Sequence, residues 1–200
     1  MFIEIHLLQN FAPSNLNRDD TNNPKDCEFG GVSRARISSQ CFKRAIRMDE
    51  SFARATGVSV SQRTVRIVDE LKRNLQNQGK SEEEALKLAE EFARNYSSKK
   101  GALEDGKTNV LLFLSQEEIA GIVKRLIEIG NKSEEIKKFA EDFAKTTKKR
   151  PAAPDIALFG RMLADRPETN IDAACQVAHA ISTHTVNMDI DFFTAVDDLL

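Results

Sequence analysis

Apolar residues crowd the start of the chain. Phe2, Ile3, Ile5, Leu7, Leu8 and Phe11 read as a buried strand over residues 2–11. Residues 12–31 are rich in Asn, Asp, Pro and Gly, which predicts a long loop. Loops of that length inside a domain are usually functional or disordered. A glycine turn at Gly30-Gly31 leads into a short strand whose Arg34 and Arg36, two apart, point to one side. Ser38 or Ser39 can then cap a helix running to about Met48. Along it Gln40, Lys43, Arg44 and Arg47 fall at spacings of three and four, on one face. Phe42, Ala45 and Ile46 fall on the other, which predicts their burial.

From about residue 61 to 147 the pattern turns helical. Val65, Val68, Leu71 and Leu75 form one stripe. Ser81 with Glu84 has capping-box spacing and precedes Ala85, Leu88, Ala89, Phe92 and Tyr96. Ser97 to Lys107 is polar and glycine-bearing, a mobile-loop pattern. Ser115 and Glu118 repeat the capping box before Ile119, Ile122, Val123 and Leu126. Asn131 and Glu134 can start a fourth helix with Ile136, Phe139, Ala140 and Phe143 inward, so the block reads as a small helical bundle. Lys148-Lys149-Arg150-Pro151 closes it as a solvated linker. Ile156 to Leu163 then reads as a strand, about Ile171 to Thr185 as a final helix, and Asp189 to Asp198 as one strand of a hairpin.

Charge sharpens this picture at one place. The 200-residue chain carries a net charge of −2. Lys25 to Arg47 holds six basic residues against Asp26 and Glu28, so this segment is strongly positive while the remainder is acidic. Glycines that let a phosphate reach the main chain, paired arginines, a serine-capped helix start and a basic helix face all suit a nucleic-acid backbone. A solvated basic helix face accounts for the same residues. With no Trp and one Tyr, base stacking is not evident, and phosphate and sugar contacts are expected to dominate.

Other chemistry is sparse. His179 and His184 are five apart and do not match a zinc-binding H-E-x-x-H helix. There is no Walker A, G-x-G-x-x-G or C-x-x-C motif, so no catalytic residue, metal site or cofactor is assigned. Asp19 and Asp20 could hold a divalent metal for phosphodiester cleavage. Alternatively they hydrogen-bond the loop backbone or pair with Arg18. Three well-separated cysteines point to a reducing, cytoplasmic setting rather than a disulfide framework. No apolar run approaches a membrane span, and the N-terminus lacks the pattern of a secretory signal.

Several strings together resemble one family. Leu16-Asn17-Arg18-Asp19-Asp20, Lys25-Asp26, Phe29-Gly30-Gly31, Arg36-Ile37-Ser38-Ser39-Gln40 and Lys43-Arg44-Ala45 resemble the N-terminal region of the CasC family, the repeated backbone subunit of type I-E CRISPR Cascade. Asp155 to Met162, Ala178 to His184 and Asp189 to Asp198 are similar to that family's segments before and into its thumb. The resemblance implies an α+β protein. It would have an RRM-like (ferredoxin-like) palm, a helical finger insertion and the start of a thumb hairpin, over residues 1–50, 51–150 and 151–200. It implies a non-catalytic subunit that binds CRISPR RNA, further copies of itself and other Cascade subunits, and meets target DNA through guide pairing. Arg18, Lys25, Arg34, Arg36, Ser38, Gln40, Lys43, Arg44 and Arg47 would lie on the guide. Met162, Phe192 and Phe193 would wedge at a kink, and Lys137 and Lys138 would touch target DNA. Members of that family continue further, so the chain would match their N-terminal portion, with sheet edges left unpaired. Related type III backbone subunits cut RNA with a loop aspartate, which makes a metal-dependent ribonuclease using Asp19 or Asp20 the alternative.

Overall fold

A computed structural model describes residues 1–12, 14–97 and 103–187. These residues form a mixed α+β protein with small antiparallel sheets. The chain divides into two units: Met1–Ala45 with the described residues from Val177 onward, and Ile46–Gln176.

In the first unit, β1 (Asp26–Phe29) and β2 (Val32–Ile37) form a hairpin closed by Gly30 and Gly31. Their φ values of 66° and 77° are what a two-residue turn matched to strand twist requires, and side chains resist that region. β7 (Ala180–Ile181) adds to the far edge of β2, giving the order β1-β2-β7. The helix α1 (Ser39–Met48) follows β2 directly.

The second unit holds the main core. Its α-helices are α2 (Glu50–Thr56), α3 (Ile67–Asn77), α4 (Glu82–Ser97), α5 (Gln116–Ile129), α6 (Ser133–Lys145) and α7 (Pro154–Phe159). The apolar stripes of α3 to α6 meet: Leu71, Leu75, Leu88, Phe92, Ile122, Leu126, Ile136 and Ala140 are fully buried. Phe92 stacks on Tyr96 with centroids 5.4 Å apart, and Phe139 and Phe143 pack around them. Ser115 and Glu118 form the complete capping box, each side chain bonding the other's backbone N–H. Ser81 caps Glu84, but the Glu84 carboxylate turns to Lys80 rather than completing the box.

Several elements differ from the sequence reading. Residues 2–11 form no strand: Phe2 and Leu7 are 88% and 90% exposed, and no described segment supplies ladder partners. An apolar run becomes a strand only where a neighbour takes its N–H and C=O groups. The expected 12–31 loop ends early, at β1. Within Ser97 to Lys107, β4 (Leu103–Glu104) pairs with β5 (Lys107–Thr108) across Asp105 and Gly106, a turn dipeptide. β3 (Gln62–Thr64) pairs with β6 (Leu112–Leu114), a contact between residues about fifty apart.

The fourth bundle helix starts at Ser133 without a side-chain cap. Of residues 156–163, expected as a strand, 156–159 instead continue α7 from Pro154, whose fixed φ suits a first helical position. The helix ends at Gly160 (φ 78°), after which Arg161 bridges to Ile171. The expected helix at 171–185 is absent: Ile181 and Ala180 pair with Arg36 and Ile37 instead, so sheet contacts override helix propensity. The Asp189–Asp198 strand, with Phe192 and Phe193, lies outside the described residues.

Candidate nucleic-acid interface

The basic segment of the first unit is held by its own polar groups. Residues 17–25 close into a loop. The Asn17 carbonyl accepts from the Lys25 N–H at 2.8 Å, and Arg18 bridges Pro24. Inside, Asp19 Oδ1 accepts from the Thr21 N–H (2.9 Å), the Thr21 hydroxyl (2.8 Å) and the Asn23 N–H (2.8 Å). These bonds, that from the Thr21 hydroxyl foremost, hold the Asp19 carboxyl below its ordinary range. Asp19 is therefore a loop-former, and Arg18 donates to Asn22 Oδ1 rather than to an aspartate. Among the described residues no three His, Cys, Asp or Glu side chains gather as metal ligands.

Arg34 and Arg36 are partly committed. Arg34 donates Nε to the Phe29 carbonyl and Nη1 to the Ser182 carbonyl, tying the hairpin to the β7 segment. Arg36 gives Nε to the Asp26 carbonyl, and its terminal amino groups have no partner among the described residues. Ser38 is buried and is the helix cap: its Oγ accepts from the Cys41 N–H at 3.3 Å. The Ser39 N–H is taken by His179 Nδ1 at 3.2 Å. Two donors of the first helical turn that could have met a phosphate are thus used internally. Gln40 and Arg44 are exposed and Lys43 is half-buried.

Arg47 departs from the expected role. It belongs to the second unit, where its Nε meets Asp155 Oδ2 at 3.1 Å and its Nη2 donates to the Ser61 carbonyl at 2.8 Å. Its guanidinium lies 4.3 Å from the Phe113 ring centre. Asp155, buried, also accepts from the Ser61 N–H and hydroxyl and the Ile156 N–H. Arg47 is a packing arginine because helix periodicity sets its direction and the partners at 61, 113 and 155 decide its use. On the other side of α1, Ala45 and Ile46 are exposed and Phe42 is only half-buried, against the expected burial.

In the second unit Met162 is 81% exposed, and Lys137 and Lys138 are exposed on α6. Lys148 and Lys149 face solvent, but Arg150 is not part of a free linker. It stacks on Phe143 at 3.7 Å and bonds the Phe143 carbonyl. The buried Arg161 and Arg150 share Glu118, at 2.8 Å and 3.4 Å. Burial beside this cluster pushes the Tyr96 phenol up to about 12. Among the described residues no helix is long and apolar enough to cross a membrane.

Asn17, His179 and Ser182 were not marked as interface residues by sequence pattern. Their partners lie 21 to 148 positions away, beyond any local periodicity.

A mixed α+β protein with a tethered basic loop, hairpin and helix start is the class that this geometry defines. Residues 3–200 match the family described as CT1975-like protein, and the chain belongs to this family of Cas proteins. No curated protein matches the chain. It is similar to a chain of a solved "CRISPR RNA-guided surveillance complex", with a TM-score of 0.69 and 30% identity, over 87% of this chain and 56% of that one. A second similar structure is a "CRISPR RNA-guided surveillance complex, pre-nicking", with a TM-score of 0.67 and 32% identity, over 92% and 53%. The chain thus spans just over half the length of these solved chains.

Proposed function

We propose that the chain is a non-catalytic, CRISPR RNA-binding backbone subunit of a type I-E, CasC-like Cascade complex. The observation that carries this reading is the basic loop-hairpin-helix edge of the first unit, in a chain of a Cas family. Arg18, Lys25, Arg34, Arg36, Lys43 and Arg44 surround a backbone held by Asp19, Ser38 and Asn17. They supply charge to guide phosphates, and Gln40 supplies a neutral polar contact. Sequence is left to base pairing between guide and target DNA. Arg47 is left out of this set because its cation is spent on Asp155.

In the same reading the first unit is part of an RRM-like palm, the helical block is a finger and the thumb begins near the chain's end. The exposed Met162 would serve as an apolar wedge at a guide kink, and Lys137 and Lys138 would serve target DNA. Further copies of the chain and other subunits complete the assembly. The capture of Asp19 by its own loop speaks for this reading over the ribonuclease.

The test is binding to single-stranded RNA of mixed sequence across a salt series. Up to six phosphate contacts give a slope of log K against log salt of roughly −4, with little dependence on sequence. A slope near zero overturns the reading. RNA cleavage that needs added Mg²⁺ or Mn²⁺ and is lost in Asp19→Asn replaces it with the nuclease.

A further inference from the structure

We infer that Asn17 is a positioning residue that joins the basic loop to the start of α1, and thereby pre-organises the guide-binding edge. The inference rests on the guide-binding reading above and deepens it. Asn17 is half-buried, and its two ends do different work. Its main-chain carbonyl closes the loop neck on the Lys25 N–H at 2.8 Å. Its side-chain Oδ1 accepts from the Ser38 N–H at 2.9 Å. Ser38 is the cap of α1, so this bond runs from the loop to the residue that starts the helix.

The neck is tied to the hairpin as well. The Lys25 carbonyl accepts from the Arg36 N–H at 2.9 Å, and Arg36 Nε reaches back to the Asp26 carbonyl at 3.1 Å. Backbone bonds therefore hold Lys25 against β2. Among the described residues, the Asn17 amide makes the one side-chain bond from residues 17–25 to Ser38, the cap of α1. Arg18 and Lys25 flank this neck, while Gln40, Lys43 and Arg44 belong to the helix that Ser38 starts.

Holding two sets of cations at a fixed separation lets one RNA strand meet both without paying to order the loop at binding. An asparagine suits the task. Its amide oxygen accepts without adding negative charge beside phosphates, and its short side chain leaves few rotamers to fix. An aspartate would accept equally well but repel the strand.

The test uses the full chain and single-stranded RNA of mixed sequence. Salt-dependent affinity is measured for the parent, Asn17→Ala, the pair Arg18→Ala with Lys25→Ala, and all three changes together. Asn17→Ala is expected to weaken binding about fivefold or more and to flatten the salt slope by up to about 0.7, the share of the single-strand phosphate contact of Arg18, since backbone bonds keep Lys25 on β2. The triple variant is expected to bind like the Arg18/Lys25 pair, because Asn17 acts through those side chains. A further, additive loss in the triple variant overturns the inference, as does an unchanged slope in Asn17→Ala.

Amide exchange of Ser38, without RNA, gives a second reading independent of binding. Protection is expected in the parent and in Asn17→Asp, which keeps the acceptor, and at least a tenfold faster exchange in Asn17→Ala. Equal protection in all three overturns the inference. Failure of the parent to bind RNA at all strikes the guide-binding reading instead.

Discussion

Arg47→Ala and Lys43→Ala separate the two jobs that one basic helix face was expected to share. Arg47 lies 3.1 Å from a buried carboxylate, donates to the Ser61 carbonyl at 2.8 Å and stacks over Phe113. Its side chain is 12% exposed and that of Asp155 2%, so the pair is screened little by water. Breaking a buried pair by removing one partner costs about 3–5 kcal/mol. Asp155 keeps its bonds from the Ser61 N–H and hydroxyl and the Ile156 N–H, which softens the loss toward about 3 kcal/mol. For a unit of this size that lowers Tm by roughly 10 °C.

Lys43 has no partner among the described residues, and its removal is expected to leave Tm within about 1 °C, as for surface changes generally. In RNA binding the order reverses. Lys43→Ala flattens the salt slope by about 0.7, and Arg47→Ala leaves it unchanged. Calorimetry at high salt and binding isotherms at four salt concentrations measure both quantities on the same samples. An unchanged Tm in Arg47→Ala together with a flatter slope would refute the reasoning, because it would place the guanidinium on RNA and not on Asp155.

Gly160→Ala forces a side chain into φ 78°, ψ 165°, a glycine-only region, with its Cβ 3.0 Å from the Ile171 carbonyl oxygen. A loss of about 2–3 kcal/mol in urea unfolding is expected, and a neutral outcome would disprove this backbone path. Asp19 has a folded pKa below the ordinary 3.8, so its loop contribution is complete above that pH and fades as pH falls through the lowered value. Amide protection at Thr21 and Asn23 should follow that course in the parent and be weak at all pH in Asp19→Ala, which has no acceptor, while RNA stays uncut in Asp19→Asn. Protection that is flat with pH would contradict the capping role. Tyr96, pushed up to about 12, should resist ionisation through pH 10–11, where a free phenol titrates. Its raised value contributes stability below about pH 10 that is lost as pH climbs toward 12, so phenolate absorbance at pH 10.5 in the folded protein would contradict its burial.

Sequence periodicity was a reliable guide where the partners of a residue are its helix neighbours. The stripes through Leu71, Leu88, Ile122 and Ile136 are buried as their spacing requires, because a 3.6-residue repeat defines one face of a helix whatever it packs on. The Gly30-Gly31 turn and the Ser115–Glu118 capping box were legible for a similar reason: each is complete within four residues. The basic character of residues 25–47 needed only counting.

What the sequence left open depends on contacts across many positions. The run at 2–11 has strand composition but no strand partner, and Ala178 to Thr183 has a helical spacing that pairing with β2 overrules. Helix geometry put Arg47 beside Lys43; only Asp155, Ser61 and Phe113 made it a packing residue. Likewise Asn17 and His179 became the acceptors for two successive N–H groups at the start of α1 only when the chain brought distant segments together. Hydrogen bonds and ion pairs act over about 3 Å of space and carry no record of their separation along the chain. Charge and periodicity could therefore be read in advance, and the assignment of each cation to phosphate or to protein could not.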